Sequence, residues 1–251
     1  MTALDKALND YHNTDKTISV ILKETGLSKS YFYRHLDYKE ESRAKKKART
    51  YTFNLEKFKK DSKEKYYWLG FIAADGCVRN NSLIIELKDI DTEHLQKFNT
   101  FFENTKELEF RENSLKVKCV KAIINSYQLL DVLSEYNIVP NKSTIYTIPI
   151  DKIPQKYMFH FLRGLIDGDG CIRFNNHQQI SLSFCSGNKE CVEQVLQILN
   201  LNNKISQDKN TYCFSVTGNV KAKTALDKIY QDSNDSIRLS RKYNIYKKTL
   251  S

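Results

Sequence analysis

Proline and glycine are scarce: this 251-residue chain holds 3 prolines and 8 glycines, against 40 lysines and arginines. Lys, Asn, Ile, Tyr and Phe outweigh Ala, Gly and Pro, which points to an A/T-rich coding sequence of the kind found in phages, organelles and some bacteria. No apolar run is long enough to cross a bilayer, so no membrane partner is expected. The N-terminus lacks the apolar core of a secretory signal. The expected location is therefore intracellular: a bacterial or phage-infected cytoplasm, or an organelle. The 6 cysteines form no Cys-x-x-Cys pair and have no histidine at zinc spacing. They read as reduced, mostly buried small hydrophobes, and a zinc site is not expected.

What is present is positive charge. The formal net charge of +10, alongside 15 Tyr and 13 Phe, favours a polyanionic partner, because basic and aromatic side chains together suit nucleic acid. The length allows one large domain or two smaller ones.

Two short stretches say nearly the same thing. Residues 68–76 read Trp-Leu-Gly-Phe-Ile-Ala-Ala-Asp-Gly and residues 162–170 read Leu-Arg-Gly-Leu-Ile-Asp-Gly-Asp-Gly. Each is an apolar helix that runs into Asp-Gly, then Cys and a β-branched residue. A helix C-terminus carries partial negative charge, so an Asp there needs a cation nearby. Two such ends side by side would repel, and a divalent metal relieves that. Asp75 and Asp169 are thus the first candidates for a metal-dependent active site.

The remaining chain divides into a helical module (1–37), a basic linker (38–62) and two halves (63–145 and 146–251). In the module, residues 14–25 place Ile18, Ile21 and Leu22 on one helical face, Gly26-Leu27 turns, and Ser28 caps a second helix bearing Tyr31, Phe32, Arg34 and His35. This is a helix-turn-helix pattern, as in recombinases and repressors, although a plain helical hairpin would look the same. The linker carries Arg43, Lys45, Lys46, Lys47 and Arg49, either as a solvated stretch or as a strap along phosphates.

The two halves read as an internal duplication. Asp75 and Asp169 are offset by 94 residues (169 − 75), as are Cys77 and Cys171 (171 − 77). After the first Asp-Gly the pattern predicts strands at 77–79 and 83–88, a helix at 91–102, strands at 108–111 and 115–120 about a Glu112-Asn113 turn, and a helix at 122–136. After the second it predicts strands at 171–174 and 180–184 about Asn175-Asn176, a helix at 188–199, strands at 204–207 and 212–217, and a helix at 220–230. Each half is αββαββα and ends on a polar turn with a lysine, Lys142 or Lys242.

These residues resemble the LAGLIDADG homing endonucleases in their monomeric, two-motif form. The resemblance runs from Lys63 to the C-terminus and rests on a motif that occurs twice with the same elements after it. It implies an α+β fold, a pseudo-twofold duplicated αββαββα saddle preceded by the small helical module. Gly70, Ala73, Gly164 and Asp167 would lie at a close helix crossing, and Gly76 and Gly170 would let the chain turn sharply. Asp75 and Asp169 would bind two or more Mg²⁺ ions, helped by the carbonyls of Ala74 and Gly168, and Lys142 and Lys242 would stand behind the scissile phosphates. No His or Cys nucleophile is implied. Ala73 stands where the pattern has its first acid, and Arg163 where it has a small residue, expected to point away from the crossing.

The implied activity is Mg²⁺-dependent hydrolysis of both strands of a long DNA duplex by a monomer, encoded in an intron or free-standing. Because the halves have diverged within one chain, the target should be asymmetric. Strand alternation nominates DNA contacts at Arg79, Asn80, Glu86, Lys88, Arg111, Lys116 and Lys118, and at Arg173, Asn175, His177, Gln179, Ser181, Ser183, Lys204, Gln207 and Lys209. The alternatives on the same fold are a non-cleaving DNA-binding regulator, which would lack the two acids, and a maturase acting on its own intron RNA. Intein excision is disfavoured, since the chain begins with Met1 and ends Leu250-Ser251 without a terminal His-Asn.

Overall fold

In the computed structural model, the structure describes residues 2–14, 16–36, 51–112 and 115–250, which fall into two compact units dividing after Tyr51. The first unit has three helices: α1 (Ala3–Asn13), α2 (Ile18–Thr25) and α3 (Lys29–His35). Thr2 and Asp5 form a capping box on α1, Gly26 ends α2 in the left-handed conformation, and the Ser28 side chain caps α3. Their apolar faces close on a small core of Ala7, Tyr11, Ile21, Phe32 and Leu36.

The second unit holds the duplication. A short helix α4 (Glu56–Lys59) precedes α5 (Lys63–Asp75), β1 (Gly76–Arg79), β2 (Ser82–Lys88), α6 (Thr92–Phe102), β3 (Glu109–Glu112), β4 (Lys118–Asn125) and α7 (Tyr127–Ser134). The pattern then repeats as α8 (Met158–Asp169), β5 (Gly170–Phe174), β6 (Ile180–Ser186), α9 (Lys189–Leu199), β7 (Ser206–Asp208), β8 (Thr211–Thr217), α10 (Lys221–Tyr230) and α11 (Ser240–Lys247). Each half forms one antiparallel sheet, ordered β1-β2-β4-β3 in the first and β5-β6-β8-β7 in the second. The fold is α+β, and no described helix is long and apolar enough to cross a membrane.

Alternate strand residues enter one continuous core: Val78, Leu83, Ile85, Val120, Ala122 and Ile124 in the first half, and Ile172, Ile180, Leu182, Phe184, Phe214 and Val216 in the second. Helices α6 and α9 cover the inner faces of their sheets. Between the halves run α5 and α8, buried on almost every side. Their closeness depends on two glycines. A methyl on Gly70 would lie 1.9 Å from the Phe161 carbonyl oxygen, and one on Gly164 would lie 2.0 Å from that of Tyr67. Neither neighbour is a side chain that could swing aside, so only glycine permits the crossing.

Three expectations need correction. Residues 118–125 are a strand, where 122–136 was expected to be helical: Val120, Ala122 and Ile124 alternate inward, and no helix begins until Ser126 caps α7. Residues 52–62 are not linker. Phe53, Leu55 and Phe58 pack on the core, and the Asn54 amide donates to the Phe102 carbonyl at 2.6 Å. The basic residues at 43–49 lie outside the described residues. Gly76 and Gly170 do end α5 and α8 as expected, and a methyl there would meet the carbonyls of Ile72 and Ile166 at 2.5 and 2.6 Å. Finally, Cys185 and Cys213, directly opposed on β6 and β8, form a disulfide, and Cys77 and Cys171 are exposed. Only Cys119 and Cys191 are buried free thiols.

Candidate active site and nucleic-acid interface

The crossing carries the last residues of α5 and α8 to one place. A methyl on Gly168 would touch the Ala74 Cβ at 2.3 Å and approach Asp75 Oδ2 at 3.1 Å, so the two helix ends are in contact. Asp75 is half-buried and Asp169 is exposed, and neither carboxyl accepts a hydrogen bond from any described residue. Burial, then the charge of Asp169, pushes the Asp75 carboxyl up to about 6. Burial also raises Asp169, against the pull of Lys142 and Lys242. A 350 Å³ pocket opens beside Asp75 and one of 210 Å³ beside Asp169.

The cations that an acidic helix end requires are supplied from behind. Lys142 Nζ donates to the carbonyls of Ala74 (3.3 Å) and Gly76 (2.8 Å). Lys242 Nζ, on α11, reaches those of Ile166 (2.9 Å), Asp167 (2.6 Å), Gly168 (3.0 Å) and Gly170. Both lysines are buried and satisfy carbonyls that a helix end leaves unpaired. Burial lowers both ammonium groups, while the nearby carboxylates oppose the shift. The Ala74 and Gly168 carbonyls thus already accept from a lysine each.

Asp167 is buried elsewhere in the crossing. It accepts from the hydroxyls of Tyr67 (2.9 Å) and Tyr230 (3.0 Å) and from the Leu239 amide (2.8 Å). Because Tyr67 gives its proton to Asp167, its oxygen accepts from His94 Nε2–H at 3.1 Å, leaving His94 Nδ1 without a partner. Arg163 does not leave the interior. Its guanidinium lies over the Tyr67 ring and donates to the carbonyls of Ile237 (2.7 Å), Ile229 (2.8 Å) and Gln231 (3.2 Å). It thereby holds the loop that leads to Lys242.

The outer faces of the two sheets are open, and the strand register aligns them in rows. On the first sheet the rows are Arg79–Ser82–Asn125, Cys77–Ile84–Ile123, Glu86–Lys121–Glu109 and Lys88–Cys119–Arg111. On the second they are Arg173–Ser181–Thr217, Cys171–Ser183–Ser215 and Cys185–Cys213–Ser206. Glu86 pairs with Arg111 at 2.6 Å and with Lys121 at 3.2 Å.

The family described as the LAGLIDADG-like domain matches residues 156–230, which span α8 to α10. The solved structure of the meganuclease I-SmaMI bound to uncleavable DNA with a TTCT central four superposes with a TM-score of 0.51 at 12% identity, over 74% of this chain and 88% of that one. The I-LtrWI LAGLIDADG homing endonuclease bound to target DNA gives the same figures. I-SmaMI bound to uncleaved DNA target with calcium ions gives 0.51 at 14% identity, over 76% of this chain and 91% of that one. The fold is that of the LAGLIDADG homing endonucleases. No curated protein matches the sequence.

On this LAGLIDADG framework Asp75, Asp169, Lys142 and Lys242 come together at the helix ends, and Gly70, Ala73, Gly164 and Asp167 line the crossing. Arg79, Glu86, Lys88, Arg111, Arg173 and Ser183 fall on the open faces, whereas Ser181, of the same parity, is buried with its hydroxyl bonded to those of Ser215 and Thr217. Asn80, Lys116 and Lys209 sit in turns with positive φ. Asn175, His177 and Gln179 form the β5–β6 hairpin, where the Asn175 carboxamide oxygen accepts from the amides of His177 and Gln179. Lys204 lies in the loop before β7. Lys118 and Gln207 belong to the other face, opposite Glu112 and Tyr212. The strand pairing puts both on the side of Val120 and Phe214, one residue out of step with the outward alternation expected for them. Lys121, Ser215 and Thr217 were missed; reading Val120-Ala122-Ile124 as an inward alternation would have exposed Lys121.

Proposed function

We propose that the chain is a site-specific endonuclease that cuts both strands of a long, asymmetric DNA duplex with Mg²⁺, from a gene lying within an intron or standing free. The observation that carries this reading is the pair of carboxylates at the touching ends of α5 and α8, both raised by burial and neither accepting a hydrogen bond from a described residue. No described group of three or more His, Cys, Asp or Glu forms a closed protein cage. Two carboxylates beside open pockets instead suit Mg²⁺, which keeps waters and phosphate oxygens in its shell. Bound there, the ion would supply a nucleophilic water and stabilise charge on the leaving oxygen. The chain's own residues fix the geometry: the glycine crossing holds Asp75 against Gly168, and Lys142 and Lys242 lock the helix ends while keeping positive charge behind them.

The open sheet faces would lie in the major groove, which admits a β-ribbon. In the first unit, α3 presents Lys29, Ser30, Tyr31, Arg34 and His35 outward after the Gly26 turn, and we assign it as a second, DNA-reading helix. The test selects duplexes from a randomised library with full-length protein in Ca²⁺, then adds Mg²⁺. Wild type should cut the selected duplex on both strands. Asp75→Asn and Asp169→Asn should each lose on the order of a thousandfold in cleavage, since several kcal/mol of charge stabilisation are removed, while still binding. In the same selection, Lys29→Ala with Arg34→Ala should shorten the selected site. Binding without cleavage by wild type would establish the regulator instead.

A further inference from the structure

The two pockets beside the carboxylates differ in one built feature. Lys142 and Lys242 reach equivalent carbonyls, those of Ala74 and Gly76 against those of Gly168 and Gly170, which makes the residues before them equivalent: Asn141 and Arg241. The residues that precede α6 and α9 are likewise equivalent: Asp91 and Asn188. Arg241 donates from Nε and Nη2 to the two oxygens of Asp91, at 3.2 and 3.0 Å. Asp91 is buried, with 9% of its side chain exposed, whereas 48% of the Arg241 side chain is exposed. The pair joins the second half's last helix to the first half's α6, and both residues line the pocket of Asp75. In the pocket of Asp169 no guanidinium is present among the described lining residues, and Asn188 is occupied in capping α9.

A buried carboxylate that grips one edge of a guanidinium fixes its plane and leaves the opposite edge facing the pocket. Arginine held this way matches the oxygens of a phosphate. We propose that Arg241, oriented by Asp91, grips a DNA phosphate in the pocket beside Asp75, so that the two strands are cut at unequal rates. The inference rests on the endonuclease reading. Arg241 is the residue that touches the phosphate, and Asp91 positions it.

The test uses the full chain and a supercoiled plasmid carrying the selected duplex, with Mg²⁺ and strand-resolved rates. Arg241→Ala should slow one strand by about tenfold or more and the other by less than about twofold, so that nicked circle accumulates. Because this variant strands a buried carboxylate, Arg241→Gln with Asp91→Asn is made beside it, keeping the hydrogen bond without charge. A pair that is merely structural would be rescued by the neutral double variant; the phosphate grip would not, and one strand would stay slow at an unchanged melting temperature. Equal slowing of both strands, or full rescue, overturns the proposal. Wild-type protein that binds and cuts neither strand overturns the endonuclease reading, and this inference with it.

Discussion

On the first sheet one open-face row is built from Glu86, Lys121 and Glu109, with Arg111 of the next row paired to Glu86, whereas the matching row of the second sheet holds Cys185, Cys213 and Ser206. Behind the sheets the pattern reverses. The first half's helix presents Leu69 and Ala73 to the interior, and the second presents Arg163 and Asp167 at the same offset of 94 residues (163 − 69 and 167 − 73). The first half carries its ion-paired charges on the open sheet face, and the second half buries Arg163 and Asp167, each satisfied by hydrogen bonds. The backbone constraint common to both is the glycine crossing; side chains beyond it were free to diverge. The difference teaches that a duplicated frame does not imply two equivalent half-sites. Long charged side chains can reach phosphates and base edges, while short hydroxyls let a duplex backbone come closer.

The strongest way to break this comparison is to give the second half the first half's interior. Asp167→Ala leaves two tyrosine hydroxyls and the Leu239 amide without an acceptor and Arg163 without its countercharge. Loss of one member of a buried charged network costs about 3–5 kcal/mol, so chemical denaturation should show a loss of that order. Arg163→Leu with Asp167→Ala should cost less than the sum of the two single changes, because the first half already folds around Leu69 and Ala73. Strict additivity would show that the two residues act independently.

The duplicated motif made the crossing, both acids and six of the eight strands readable, because small residues at fixed spacing before Asp-Gly have few other uses. The interior of the second half was not readable. Arg163 finds its acceptors at Ile229, Gln231 and Ile237, and Asp167 its donors at Tyr67, Tyr230 and Leu239, all far along the chain. Local pattern cannot show that a charge will be satisfied at such a distance. The error at 122–125 has a local cause: Ala-Ile-Ile fits a buried strand and a buried helix equally well by periodicity. Its consequence spread, since the start of β4 sets which of Lys118 and Lys121 faces outward. Arg241 was passed over because its meaning lies in Asp91, 150 residues earlier.

A pH series sharpens the comparison at two positions of the first half. His94 is buried beside Tyr67, and its equivalent in the second half is Cys191, whose thiol burial pushes up to about 12. Burial first, then Lys97, holds the His94 imidazole at about 3, below its ordinary 6.5. Its contribution is present above pH 6.5 and is lost as pH falls, because the unfolded chain then binds the extra proton. Asp75 has the opposite sign. Its carboxyl, raised from 3.8 to about 6, favours the folded state below pH 3.8 and loses that contribution as pH rises through 6. In chelator, Asp75→Asn should therefore raise stability at pH 7 by about 1–2 kcal/mol, allowing for its partial exposure. It should also steepen the acid loss between pH 6.5 and 4, where the two groups oppose each other in the wild type. A melting curve series that leaves both slopes unchanged would remove Asp75 from the strained pair.

The smallest expected effect tests the sheets themselves. Arg111 and Lys121 hold Glu86 below the usual carboxylate range although burial opposes them, so Glu86 keeps both cations engaged on the open face. Glu86→Gln releases them. If the first sheet meets phosphates, the dependence of log affinity on log salt should steepen by about 0.9 for each cation that gains a contact, with tighter binding at low salt. Ser183→Ala, at a neutral position on the second sheet, should leave that slope unchanged and alter only which duplexes are selected. An unchanged slope in Glu86→Gln would mean that the charged rows of the first sheet do not touch the backbone of the duplex, and the division of labour between the halves would have to be sought in their base contacts instead.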